Sequence, residues 1–195
     1  MAGRNRARAL DALARAADAY ADGRERDAAR LLRPLRDSYP RAAGVRELLG
    51  LALYRLGSYG PAARELEAFV ELTGSVEQHP VLMDCARAGR EYTQVEDLWA
   101  ELAATSPSAE LVTEGRIVLA GALADQGRIK DAITRLDKRA ASSPRRVAEH
   151  HLRLWYALAD LYERAGEIPR ARALFERVRR EAPGFADVAE RLAAL

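Results

Sequence analysis

The sequence predicts an all-α fold: a solenoid of about five helical hairpins closed by a short C-terminal helix. Three observations predict it. Five glycines, Gly23, Gly57, Gly89, Gly127 and Gly166, recur at spacings of 34, 32, 38 and 39 residues, each between two amphipathic stretches. The residues around them recur too. A small residue follows five positions later (Ala28, Ala62, Ala132, Ala171) and a large apolar one nine positions later (Leu32, Leu66, Leu136, Phe175). Finally, the chain of 195 residues is 49% hydrophobic but only 6% aromatic, with alanine very frequent. That mix suits helices packed closely through small side chains.

The first hairpin spans 6–40. Gly23 ends its first helix, where a left-handed residue is easily adopted without a side chain. Ala16 and Ala19 precede the glycine and Pro40 stops the second helix. The second hairpin, 42–73, repeats this around Gly57 with Gly50 and Leu53 in the preceding places, and Gly74 stands where proline is expected. The third, 76–105, fits around Gly89 after a one-residue insertion in the Gly89–Tyr92 turn. Val95, Trp99, Leu102 and Pro107 then take the small, large, apolar and proline places. The fourth and fifth, 107–142 and 144–183, are longer by about one helical turn. Ser106-Pro107 and Ser143-Pro144 read as N-caps followed by proline, giving first helices over about 107–126 and 144–165. Residues 185–195 read as a capping helix whose Val188, Leu192 and Leu195 cover the last hairpin.

Two stretches make the pattern specific. One is Leu49-Gly50-Leu51-Ala52-Leu53-Tyr54-Arg55-Leu56-Gly57-Ser58-Tyr59 with Pro61-Ala62-Ala63; the other runs Trp155, Leu158-Ala159, Tyr162, Gly166, Ala171, Phe175, Pro183. Both resemble the tetratricopeptide repeat, and the resemblance covers roughly 6–183. It implies a right-handed α–α superhelix in one domain, 1–195, serving as a protein-interaction scaffold or adaptor of a bacterial cell. The related pentatricopeptide repeats read RNA through polar side chains, and the matching places here are mostly apolar or charged.

Charge is unevenly spread. Residues 1–64 carry 13 Arg against 7 acids, 65–125 carry 3 Arg against 12 acids, and 126–195 carry 15 bases against 10 acids, for a net charge of +2. The acidic middle interrupts any continuous basic stripe, so no nucleic-acid partner is expected. Self-association between the acidic middle and the basic ends, or through Val188 and Leu192, is one alternative to an adaptor role, and an accessory regulatory subunit of an enzyme complex is the other. Near-exclusive use of arginine over lysine fits a GC-rich bacterial genome. The basic N-terminus leads into an amphipathic stretch broken by Arg15, Asp18 and Asp22, so neither a signal peptide nor a membrane span is expected, and the chain is placed in the cytoplasm.

Catalytic material is sparse, so no enzyme, metal or cofactor is expected. Cys85 is alone, and a buried inert thiol is expected of it. His150 and His151 are adjacent on a helix and point about 100° apart, which does not suit one ion. In proteins of this repeat type the first helices line a concave groove. Matching the register places Tyr20, Glu47, Leu51, Tyr54, Arg55, Met83, Arg87 and Tyr156 on it, with Leu10 and Leu13 in the first hairpin. Relatives that clamp a C-terminal carboxylate use lysines and asparagines there. This chain has one asparagine, Asn5, and two lysines, Lys130 and Lys138, none of them in the groove. The expected ligand is a protein or peptide with apolar anchors and at least one acidic group.

Overall fold

The computed structural model describes residues 2–105, 107–140, 144 and 146–195, with side chains from residue 5 onward. Among the described residues it contains helices and no strand. In order they are α1 (Ala2–Ala21), α2 (Glu25–Ser38), α3 (Ala43–Arg55), α4 (Tyr59–Thr73), α5 (His79–Ala88), α6 (Tyr92–Thr105), α7 (Ala109–Asp125), α8 (Ile129–Ala140), α9 (Glu149–Arg164), α10 (Ile168–Glu181) and α11 (Val188–Ala194). The chain divides into two compact units, Met1–Leu98 and Trp99–Leu195.

Each hairpin turn is built the same way. After α3, Gly57 adopts φ 71° and the Ser58 N–H bonds back to the Leu53 carbonyl at 2.9 Å. After α7, Gly127 adopts φ 79° and Arg128 bonds back to Leu123 at 2.9 Å. This is the six-to-one closure that satisfies the last helix carbonyls.

The third turn corrects the sequence reading. Gly89 stays right-handed at φ −77°, and the left-handed residue is Arg90 at φ 61°. The matching back-bond runs from Glu91 N–H to the Ala86 carbonyl at 2.9 Å. Arg90 therefore stands where the other hairpins have glycine, and α6 follows in register with no insertion. Every residue of α5 moves by one place. Met83, not Leu82, falls at the small-residue position of Ala16, Gly50, Ala120 and Ala159, and it is fully buried.

In the first unit the core runs from Ala16 and Ala19 through Leu32, Leu49 and Leu53 to Cys85. In the second it centres on Trp155, Leu158 and Phe175, and Val188 and Leu192 of α11 join it, as the capping role requires. These two residues are buried within the chain. Small residues set the close approaches. A Cβ on Gly50 would lie 2.6 Å from Leu66, and one on Gly115 would collide with Leu102.

The helices α7 and α9, of 17 and 16 residues, exceed the 13 of α3 by about a turn but start later than expected. Ser106 and Ser143 lie outside the described residues. The N-cap of α7 is Ser108, whose Oγ accepts from the Leu111 N–H at 3.1 Å. At α9 the Nδ1 of His151 accepts from the Ala148 N–H at 3.0 Å.

Candidate functional site: the first-helix face and an adjoining apolar cleft

The first helices α1, α3 and α5 of unit one bring several of the expected residues together, but the chain's own side chains already engage most of them. Tyr54 donates its hydroxyl to Asp84 at 2.7 Å and packs edge-on against Tyr59. Burial, and then the Asp84 carboxylate, push the Tyr54 phenol well above its usual range. Arg87 grips the other Asp84 oxygen through Nε at 2.9 Å and Nη2 at 2.8 Å. Glu47 accepts from Gln78 at 2.8 Å, and Leu51 is half-buried. Arg55 lies over the Tyr20 ring, 3.9 Å from its centroid, with Glu25 at 3.7 Å. Met83 presents no surface at all.

Asp84 is the residue that sequence reasoning missed. Counted from Arg90, it sits six places before the turn, where Leu51 and Asp160 sit in their hairpins. Counting from Gly89 put Met83 there instead. The signal was an arginine in a left-handed turn, which sequence alone does not mark.

Tyr156, in the second unit, is covered by the C-terminal segment. Its hydroxyl is bonded to Asp187 and accepts from Arg191 at 3.3 Å, and its ring meets Phe185. Arg191 also binds Glu163 at 2.6 Å and Asp160 at 2.9 Å. The α11 helix thus closes this part of the face with an ion network, which holds the arginine firmly protonated despite its partial burial.

At the open end of the first hairpin, away from the glycine turn, α1, α2 and α3 frame an apolar cleft of about 530 Å³. Leu10, Leu13, Leu35, Tyr39 and Val45 line it, and Arg6 stands at its rim. Four large apolar or aromatic side chains are exposed among the described residues, and two of them, Leu10 at 57% and Tyr39 at 41%, border this cleft. Isolated exposed leucines are ordinary, whereas a contiguous patch marks a contact surface.

Cys85 is buried, and burial first, then Asp84 and Glu67, push its thiol up to about 12. Such a thiol is a poor nucleophile at neutral pH. The rings of His150 and His151 meet at 4.0 Å, yet among the described residues no group of three or more His, Cys, Asp or Glu is placed to hold a metal ion. No described helix is long and apolar enough to cross a membrane.

Comparison with known proteins places this architecture. Two models of the tetratricopeptide repeat match the sequence, one over residues 13–75 and the other over 123–195. No curated protein matches it in sequence. Among solved structures, a thermophilic tetratricopeptide protein of Thermus thermophilus superposes with a TM-score of 0.72 at 20% identity, covering 95% of this chain and 97% of its own. The nearly identical repeats of a Podospora anserina protein give 0.67 at 19%, covering 89% and 94%. MamA of Desulfovibrio magneticus gives 0.66 at 15%, covering 91% and 96%. At these identities the likeness is one of fold, and that fold is a protein-interaction module in general. The repeated turns, the small-residue contacts and the two sequence matches agree: this chain belongs to the tetratricopeptide repeat family.

Proposed function

We propose that the chain is an adaptor that holds a segment of a protein partner against unit one, using the first-helix face and the apolar cleft beside it. The observation that carries this reading is the cleft itself. Leu10 and Tyr39 remain exposed around it, whereas Ala16, Ala19, Ala28, Leu32 and Leu35 of the same hairpin are buried. An apolar anchor of the partner fills the cleft, and an acidic group meets Arg6 or Arg55. Arg55 suits this better than Arg87. Its side chain is 47% exposed and its contact with Glu25 is long, so a new carboxylate can replace Glu25, an exchange of exposed pairs worth about 0.2–1 kcal/mol, while the guanidinium stays over the Tyr20 ring. Arg87 is tied to Asp84 by two hydrogen bonds.

Selection from a random peptide library on the immobilised chain tests it. Enriched peptides should carry apolar residues and an Asp or Glu, and their binding should fall on Leu10→Asp and on Tyr54→Ala with Arg55→Glu. Binding indifferent to both sets of changes, with helicity intact by circular dichroism, refutes the proposed surface. Sedimentation across concentration addresses self-assembly: a dimer lost on Leu10→Asp would replace the foreign partner with a second copy.

A further inference from the structure

The fourth hairpin inverts a charge arrangement that the second hairpin satisfies. Counted from the left-handed turn residue, Arg46 and Arg116 hold the same place, eleven before Gly57 and Gly127 respectively. Glu65 and Arg135 likewise match, eight after. In the second hairpin Glu65 is buried and takes Arg46 at 2.5 Å and Arg36 at 2.8 Å. In the fourth, an arginine stands where that carboxylate stood.

The consequence falls on Arg116. It is partly buried, lies 5.3 Å from the centroid of the Trp99 ring, and has no carboxylate against it among the described residues. Burial first, then Arg139 and Arg135, push its pKa down, the mark of a cation without a counter-charge. Three carboxylates of the same unit are committed elsewhere. Glu114 pairs with Arg153 at 3.2 Å, Asp131 with Arg128 at 2.8 Å, and Asp137 accepts from Tyr162 at 3.0 Å. Residues outside the description carry no carboxylate side chain.

Trp99, Arg116, Arg128, Arg135, Lys138 and Arg139 line one cleft of about 580 Å³. From Arg128 to Arg139 the chain takes eleven residue steps, most of them on α8, about 16 Å at helical rise. That length suits several residues of extended chain and exceeds what one small anion spans.

We infer that this cleft binds an acidic peptide segment of a protein partner, one Asp or Glu carboxylate seating between Arg116 and Arg135 where Glu65 sits in the second hairpin. The inference rests on the reading of the chain as a protein-binding module, but on different residues from those proposed in unit one. A nucleic acid fits less well. Asp131 lines the same cleft, and its one indole already lies against Arg116, so a base has little ring to stack on.

Trp99 supplies the readout, because the other tryptophan, Trp155, is buried. The full chain is titrated with acetylated oligoglutamate, and in parallel with oligoglutamine, inorganic phosphate and oligothymidylate. Oligoglutamate should give a saturable change in fluorescence that weakens with salt, and Arg116→Gln should reduce its affinity about tenfold or more. Arg135→Glu restores the carboxylate within the chain, so it should abolish binding and raise the thermal midpoint. No saturation with oligoglutamate, or equal affinity in Arg116→Gln, overturns the inference. Tighter binding of phosphate or of oligothymidylate overturns it too, by naming another occupant. If Arg135→Glu does not fold, the Arg116→Gln comparison still decides. Library peptides indifferent to Leu10→Asp and to Tyr54→Ala with Arg55→Glu, with this titration intact, refute the first surface and leave the second standing.

Discussion

Glu65 offers the sharpest test of how the polar interior of unit one is held. Its carboxylate is buried between α2 and α3, accepting from Arg36 at 2.8 Å and from Arg46 at 2.5 Å. Glu65→Gln keeps the shape and one acceptor but removes the charge, leaving two guanidinium groups facing an amide. Breaking a fully buried pair costs about 3–5 kcal/mol. The Arg36 and Arg46 side chains retain 31% and 21% exposure, so both can turn partly to water, and the expected loss is about 2–3 kcal/mol. For a chain of this size that lowers the thermal midpoint by about 5–10 °C. Urea and thermal melts followed by far-UV circular dichroism measure it, and a cycle with Arg46→Met isolates the pair. The loss should persist at high salt, because a buried pair is weakly screened. A change below about 0.5 kcal/mol, the range of an exposed pair, would refute the reasoning.

Three further outcomes follow from the same geometry. Gly50→Ala should destabilise by about 1–2 kcal/mol, because overpacking against Leu66 outweighs the helix propensity gained, whereas Gly44→Ala, with nothing within 4 Å, should be neutral or stabilising; equal effects in urea melts would sink the close-approach argument. Arg90→Gly should stabilise by up to about 1 kcal/mol by relieving a left-handed arginine, and a destabilisation would show that φ 61° is not the strained feature. Cys85 should resist iodoacetamide in the folded state. Its thiol pKa is raised from 9.0 to about 12, so the proton is held more tightly when folded; this stability is present below about pH 9 and is lost as pH rises toward 12. Rapid labelling at neutral pH, or no loss of stability above pH 9, contradicts the burial.

How much was legible in the sequence depended on whether a residue's role is fixed by one helix or by two. The glycine period and the small-to-large alternation are properties of a single hairpin, and they revealed the fold class directly. The third hairpin broke the count because its left-handed residue is an arginine, with a glycine one place too early. That single displacement put Met83 on a binding face when it is core, and hid Asp84. The apolar cleft was half visible: Leu10 and Leu13 were placed on the binding face, but Leu35, Tyr39 and Val45 come from other helices and join them only through packing. Ion pairs were the least legible. Nothing in the sequence near Arg55 shows that Tyr20 and Glu25 already occupy it, whereas Asp84, three residues before Arg87 on the same helix, was a readable i,i+3 partner.

The same comparison shows where this chain stores its specificity. The apolar positions are nearly interchangeable between hairpins, because each must fill the same gap between helices. The positions eleven before and eight after each turn are not, being Ala12 with Leu31, His79 with Leu98 and Trp155 with Leu174 in the first, third and fifth hairpins. They read Arg46 with Glu65 in the second hairpin and Arg116 with Arg135 in the fourth. A buried carboxylate facing arginine locks a hairpin to its neighbour and leaves nothing for a partner. Two arginines in those places, the second of them exposed, instead favour an anion from elsewhere, which relieves a repulsion that water only screens. One repeat can therefore serve as structure or as a binding site through a change at a single position eight residues beyond the turn. Glu65→Arg and Arg135→Glu exchange the two states, so the first should weaken the fold while creating an anion site, and the second should strengthen the fold while removing one.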